Sequence, residues 1–283
     1  MALYRRACRI AETTLSEGDH MTEIRKELER LIALNYAEQW VPNHIAFQQL
    51  LERHGDRIIA GLIECLPDED AEVRQMAAGL LEEAGKRAEP AVHELTLRLT
   101  DEDRSVVVTA MFALKRLAQF ARSAIPALKI VMDDTTEPYF RIVAAATLGK
   151  IVPEDPHPIP ILVAALDDPN SLNRATACEF LGERRHSAVL NTMKLFNDPD
   201  FVVRFAASKA YSKFTENWMH AVAICVAMLK DDSETNRAMG GECLLSIRRY
   251  AQDHLDLLTM AMADCSWQAR IDIEEVLAEL RRQ

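Results

Sequence analysis

Apolar and polar positions alternate in this chain on two scales. Within short stretches they follow helical spacing, and whole helix pairs then recur about every 33 residues. An aspartate sets the register: Asp68, Asp101, Asp134, Asp168, Asp198, Asp231 and Asp264 stand 33, 33, 34, 30, 33 and 33 residues apart. Two residues before each comes a large apolar side chain: Leu66, Leu99, Met132, Leu166, Phe196, Leu229 and Met262. Six residues after most of them comes an arginine: Arg74, Arg174, Arg204, Arg237 and Arg270. Arg141 follows its aspartate by seven, and Val107 fills the slot in the second copy. Counted from that slot, positions −1, +3, +6, +7 and +10 are mostly apolar, as in Val73, Ala77, Leu80, Leu81 and Ala84. That is one stripe at the 3.6-residue period of a helix.

Upstream of each aspartate an apolar run such as RIIAGLIECL, IPALKIVM or IPILVAAL predicts a first helix. Pro126 and Pro160 stand where a first helical turn accepts proline. Polar turns (PDED, DDPN, NDPD, KDDS) divide the first helix from the second. The pattern predicts an all-α array of about seven two-helix repeats: 57–88, 89–124, 125–158, 159–188, 189–221, 222–254 and 255–283. Residues 1–56 lack the Asp/Arg signature and read as a helical N-terminal cap, with helices near 2–15, 22–34 and 43–54. Asn43 after Pro42 is the expected N-cap of the last of these, and Gly55 its stop. The loop NYAEQWVPNH, with Tyr36 and Trp40, is read as part of that cap.

An aspartate six residues ahead of an arginine, in copy after copy, belongs to the scaffold. Each aspartate can satisfy free N–H groups of its turn. Each arginine leaves the second helix near that turn and can reach an aspartate of its own or the adjacent repeat. Catalytic carboxylates would not be expected once per repeat. Columns +2 and +4 are small or apolar in six repeats and become Asp272 and Glu274 in the last, where the array is expected to end. Columns +5 and +9 vary from repeat to repeat and are the candidate partner face. There stand Phe112, Arg116, Lys150, Glu179, Glu183, Lys209, Lys213 and Glu242, with Phe112, Arg116 and Lys150 the most distinctive group.

Composition narrows the functional classes. The 283 residues are 49% hydrophobic and 27% charged, which suits a folded chain. A net charge of −11 disfavours nucleic acid, since no basic stripe offsets it. Cys8, Cys65, Cys178, Cys225, Cys243 and Cys265 form no zinc spacing and read as small core residues in a reducing compartment. With no signal-like or membrane-length apolar run, the chain is expected to be cytoplasmic. No phosphate loop, nucleophile elbow or zinc-protease motif occurs. Glu183 and His186 alone cannot make a metal site.

Paired helices, a turn aspartate and an arginine six residues on resemble HEAT repeats, especially the short type named after phycobilisome lyases, over about residues 57–283. The resemblance implies a right-handed α-solenoid that holds a partner protein along the concave second-helix face. No catalytic residue, metal or cofactor is expected, and a monomer is favoured. HEAT-type deoxyhypusine hydroxylases carry several His-Glu pairs; here His93-Glu94 stands alone. HEAT-like DNA glycosylases need a cationic groove with aromatics, which this acidic chain lacks. A phycobilin-lyase-like or lyase-accessory subunit is the alternative reading, and an immunity or inhibitor protein a further one.

Overall fold

The structure, a computed structural model, describes residues 40–133, 137–184 and 186–282, with side chains from Phe47 on except that of Asp264. The predicted helices before residue 40, and Tyr36, lie outside the described residues, as do Asp134 and the side chains of Trp40 and Asp264. Among the described residues every regular element is helical. They pack as two compact units, one ending at Asp155 and the other beginning at Pro156.

In the first unit, α1 (Trp40–His54) begins ahead of Asn43. Pro42 falls within its opening turn, where the missing N–H removes no helical hydrogen bond. Gly55 ends α1 with φ +58°, a conformation that glycine adopts without strain. Three helix pairs follow. The first is α2 (Asp56–Cys65) with α3 (Ala71–Ala84). The second is α4 (Val92–Leu97) with α5 (Arg104–Arg116), and the third α6 (Ile125–Asp133) with α7 (Pro138–Ile151). The second unit opens with α8 (Pro158–Ala164) and α9 (Ser171–Arg184). A 3₁₀ helix (Ser187–Leu195) pairs with α10 (Phe201–Thr215), and α11 (Met219–Leu229) with α12 (Glu234–Ser246). A single turn, α13 (Arg248–Ala251), leads to α14 (Leu255–Ala261) and α15 (Trp267–Arg281).

The predicted stripe is the core. Ala77, Leu81, Ala110, Ala113, Leu114 and Leu117 are fully buried in the first unit. Val222, Cys225, Leu229, Leu244, Leu258, Ile273 and Leu280 fill the second. Between α9 and Asp198 the first-helix position of the repeat is filled by the 3₁₀ segment, in the one interval of 30 residues. Its Thr192 hydroxyl lies 2.8 Å from the Val189 carbonyl and 3.2 Å from that of Ala207 on α10.

Two glycines set helix separations in the second unit. A Cβ on Gly182 would lie 2.8 Å from the Ala210 Cα, so α9 and α10 touch backbone to backbone there. A Cβ on Gly240 would lie 2.9 Å from the Met228 Cβ and 3.0 Å from the Cys225 carbonyl.

Candidate functional site

The inter-helix turns carry the densest polar chemistry. In the first, Asp68 accepts the Asp70 N–H at 2.8 Å, and Asp70 in turn caps α3 by accepting the Glu72 N–H at 2.9 Å. The same step recurs: Asp101 accepts from Asp103, Asp168 from Asn170, Asp198 from Asp200 and Asp231 from Ser233. The register aspartate thus closes its turn, and the residue two on starts the helix. Sequence periodicity points to the first role. The second was legible in the recurring Asp, Asn or Ser at that position, a preferred N-cap set.

Each engaged arginine divides its guanidinium between two repeats. Arg74 Nη1 donates to the carbonyls of Asp68 and Glu69 in its own turn, at 2.8 and 3.1 Å. Its Nε and Nη2 grip the Asp101 carboxylate of the next repeat at 2.9 and 2.7 Å. Arg174 does the same with the Asp168 and Pro169 carbonyls and with Asp198, at 2.9 and 2.8 Å on the carboxylate. Both pairs are largely buried, with side-chain exposures of 6% and 3% for Arg74 and Asp101 and 13% and 5% for Arg174 and Asp198. Arg237 holds the Asp231 and Asp232 carbonyls, and its Nε pairs with Asp272. Asp272 therefore faces back onto the preceding repeat, whereas its column neighbour Glu274 is exposed. Arg141 Nε donates to the Met132 carbonyl at 3.1 Å. Arg270 is exposed, and Val107 is buried in the slot without an arginine.

Electrostatics follow from this geometry. Burial alone would raise the Asp101 carboxyl, but the Arg74 hydrogen bond, the Asp103 N–H and the nearby arginine charges outweigh it and hold it below the usual carboxylate range. Asp198 is lowered in the same way, burial being overcome by Arg174, the Asp200 N–H and Arg204. A carboxyl whose folded value is depressed stabilises the fold fully above its unfolded value, about 3.9, and loses that stabilisation as pH falls through the folded value. The urea midpoint is therefore expected to hold between pH 7 and 5 and to fall below about pH 4. Asp101→Asn and Asp198→Asn should start lower and fall less steeply; an acid limb unchanged in both variants would mean other groups carry it.

The columns expected to meet a partner are exposed at half of their positions and half-buried at the rest, except at buried Ala146. On α5 Phe112 is half-buried and Arg116 exposed; on α7 Lys150 is exposed. The Thr147 hydroxyl, 3.3 Å from the Met111 carbonyl, ties α7 to α5 beside them. Arg116 Nε comes within 3.9 Å of where a Cβ on Gly85 would stand, so its side chain leans toward the preceding repeat. Burial pushes the Glu82 carboxyl up there, partly offset by the charges of Arg116 and Lys115. In the second unit Glu179, Glu183 and Glu242 are exposed, while Lys209 and Lys213 are half-buried. Lys209 Nζ sits 5.4 Å from the centre of the Phe205 ring. Column +4 is buried from Ala78 to Gly241 and opens only at Glu274.

His186 serves the backbone, its Nδ1 accepting the Ala188 N–H at 3.0 Å as the cap of the 3₁₀ helix. Among the described residues no group of three or more His, Cys, Asp or Glu could hold a metal ion. Burial pushes the Cys178 thiol up to about 12. A hydrogen bond between Cys225 and Cys243, together with burial, pushes Cys225 up as well.

Helix pairs joined by aspartate turns, cross-linked by arginines one repeat back, are the build of a recognised repeat class. Residues 59–149 match the family described as HEAT repeats. That segment is built of HEAT repeats. Among solved structures it is similar to the complex of CpcE and CpcF of phycocyanin lyase from Nostoc sp. PCC7120, at 20% identity and TM-score 0.50, covering 78% of this chain and 94% of that one. It is also similar to an engineered protein, at 17% identity and TM-score 0.43, covering 79% and 96%. At such identities the likeness is one of HEAT-like fold alone. No curated protein matches the chain significantly. No helix among the described residues is long and apolar enough to cross a membrane.

Proposed function

We propose that this chain is a non-enzymatic scaffold that binds a partner protein along its second-helix face, through columns +5 and +9. The observation that carries this reading is the contrast between neighbouring columns. Column +4, one residue away, is buried and small or apolar in six repeats. Columns +5 and +9 are exposed or half-buried at every position but Ala146 and change character in each repeat, with a cationic and aromatic group at Phe112, Arg116 and Lys150 and an acidic one at Glu179, Glu183 and Glu242. Packing does not dictate residues that vary in this way, and mixed charge along a groove favours selectivity over raw affinity. HEAT-repeat architecture and a neighbour solved as a two-protein complex support the same direction. Cytoplasmic location and a monomeric chain complete the reading.

The test is affinity capture from the native host with tagged wild type beside Phe112→Ala/Arg116→Glu/Lys150→Glu, once circular dichroism shows the variant folded. A protein held by wild type and lost by the variant is expected. Retention by both would move the binding face elsewhere. No captured protein, with a visible chromophore on the purified chain, would favour the lyase-like alternative.

A further inference from the structure

The rung of the arginine ladder at Arg204 is open. Arg204 is held as its sister arginines are, Nη1 donating to the carbonyls of Asp198 and Pro199 at 2.7 and 3.0 Å. In Arg74 and Arg174 the Nε–Nη2 edge grips the aspartate of the next repeat, and Arg237 Nε takes Asp272. Among the described residues no carboxylate bonds that edge of Arg204. The aspartate due there, Asp231, spends its carboxylate on the Ser233 N–H and the Asn236 side chain; these bonds and the Arg237 charge hold it below the usual carboxylate range.

What lies between Arg204 and Asp231 is a groove of about 500 Å³. Ala223, Ile224, Ala227 and Met228 of α11 form its apolar wall, and Phe196 and His220 its aromatic end. Phe196 and His220 stand 5.3 Å apart between ring centres, and Tyr211 packs edge-on to Phe196 at 5.4 Å. The volume falls within the range of small-ligand sites, about 300–1,000 Å³.

We infer that this groove is a binding site for the α-carboxylate of an apolar amino acid, carried either by a free amino acid or by the last residue of a polypeptide. The fork of Arg204 matches a carboxylate in two parallel bonds, as in the sister rungs. An apolar side chain meets the α11 wall and the Phe196 ring. Asp231, ionised across the groove, suits the nitrogen next to an α-carboxylate, which is an N–H donor in a peptide and a cation in a free amino acid. A plain monoanion would meet Asp231 only as repulsion. The site lies wholly in the second unit and does not depend on the Phe112, Arg116 and Lys150 face.

Calorimetric titration of the full chain tests this with three probes: acetyl-leucyl-phenylalanine, its C-terminal amide, and free phenylalanine. At least one free acid is expected to bind, with the amide at least ten times weaker. Tighter binding by the dipeptide names a chain terminus as the source, and tighter binding by phenylalanine a free amino acid; both support the site. Arg204→Gln should lower affinity at least tenfold. Because Arg204 also braces its turn, Ala223→Trp, which fills the groove from an exposed position, should abolish binding while leaving the dichroism spectrum unchanged. Equal binding of acid and amide, no binding of either acid at millimolar concentration, or binding that survives Ala223→Trp would overturn the assignment.

Discussion

Asp198→Ala is expected to destabilise the second unit by about 2–3 kcal/mol, the range for stranding a largely buried charged partner. Three bonds leave with the carboxylate: two from Arg174 and the one from the Asp200 N–H. The guanidinium of Arg174, 13% exposed, keeps its two carbonyl acceptors but loses its anion. Water can reach part of the turn, so the low end of the range for buried ion pairs is the appropriate one. Thermal denaturation should show a midpoint lowered by roughly 8 °C, taking about 3–4 °C per kcal/mol for a unit of this size. The double variant Arg174→Ala/Asp198→Ala should be more stable than the sum of the single effects predicts, by about 1–2 kcal/mol, since the two groups contact each other. Asp231→Ala provides the contrast. It removes a turn bond but frees no arginine, so it should lower the midpoint visibly less than Asp198→Ala. Equal losses at the two positions would mean that the inter-repeat pair adds nothing to the turn bond.

That contrast also marks where the sequence stops being legible. Asp198 and Asp231 are each followed by an arginine six residues on, and both stand 33 residues from the next register aspartate. Local pattern therefore predicts the turn, the cap and the start of the second helix, because each depends on groups a few residues apart. It does not predict which carboxylate an arginine reaches, because the partner lies 27 residues on for Arg74, 24 for Arg174 and 35 for Arg237. At the open rung Asn236 competes for Asp231, at a position that is Val73, Val106 and Val203 in three other repeats. Asp272 shows the same limit. Its column becomes acidic where the array was expected to end, but only the packing of α15 against α12 reveals that it is a partner of Arg237. The candidate partner face was legible as variable columns; that Phe112 is half-buried and that Arg116 leans toward Gly85 depend on how far apart the helices pack.

Helix separation is itself testable at the glycines. Gly240→Ala is expected to destabilise the second unit by about 2 kcal/mol, within the range for overpacking and despite the helix propensity gained with alanine. The added methyl would lie 2.9 Å from the Met228 Cβ, 3.0 Å from the Cys225 carbonyl and 3.1 Å from the Leu229 nitrogen, so relief requires α11 and α12 to move apart as backbones. Gly182→Ala should have the same sign, its methyl facing the Ala210 Cα and Cβ at 2.8 and 2.9 Å. Gly79→Ala should have the opposite sign. Its methyl would meet only the Thr109 Cγ2, at an ordinary 3.7 Å, so removing glycine from the middle of α3 should stabilise by roughly 0.5–1 kcal/mol. Urea denaturation of the three variants separates the cases, because helix propensity is common to all of them and only the space differs. A stabilised Gly240→Ala would show that α11 and α12 pack farther apart than backbone contact, and the groove beside Arg204, walled by α11, would then have a different shape.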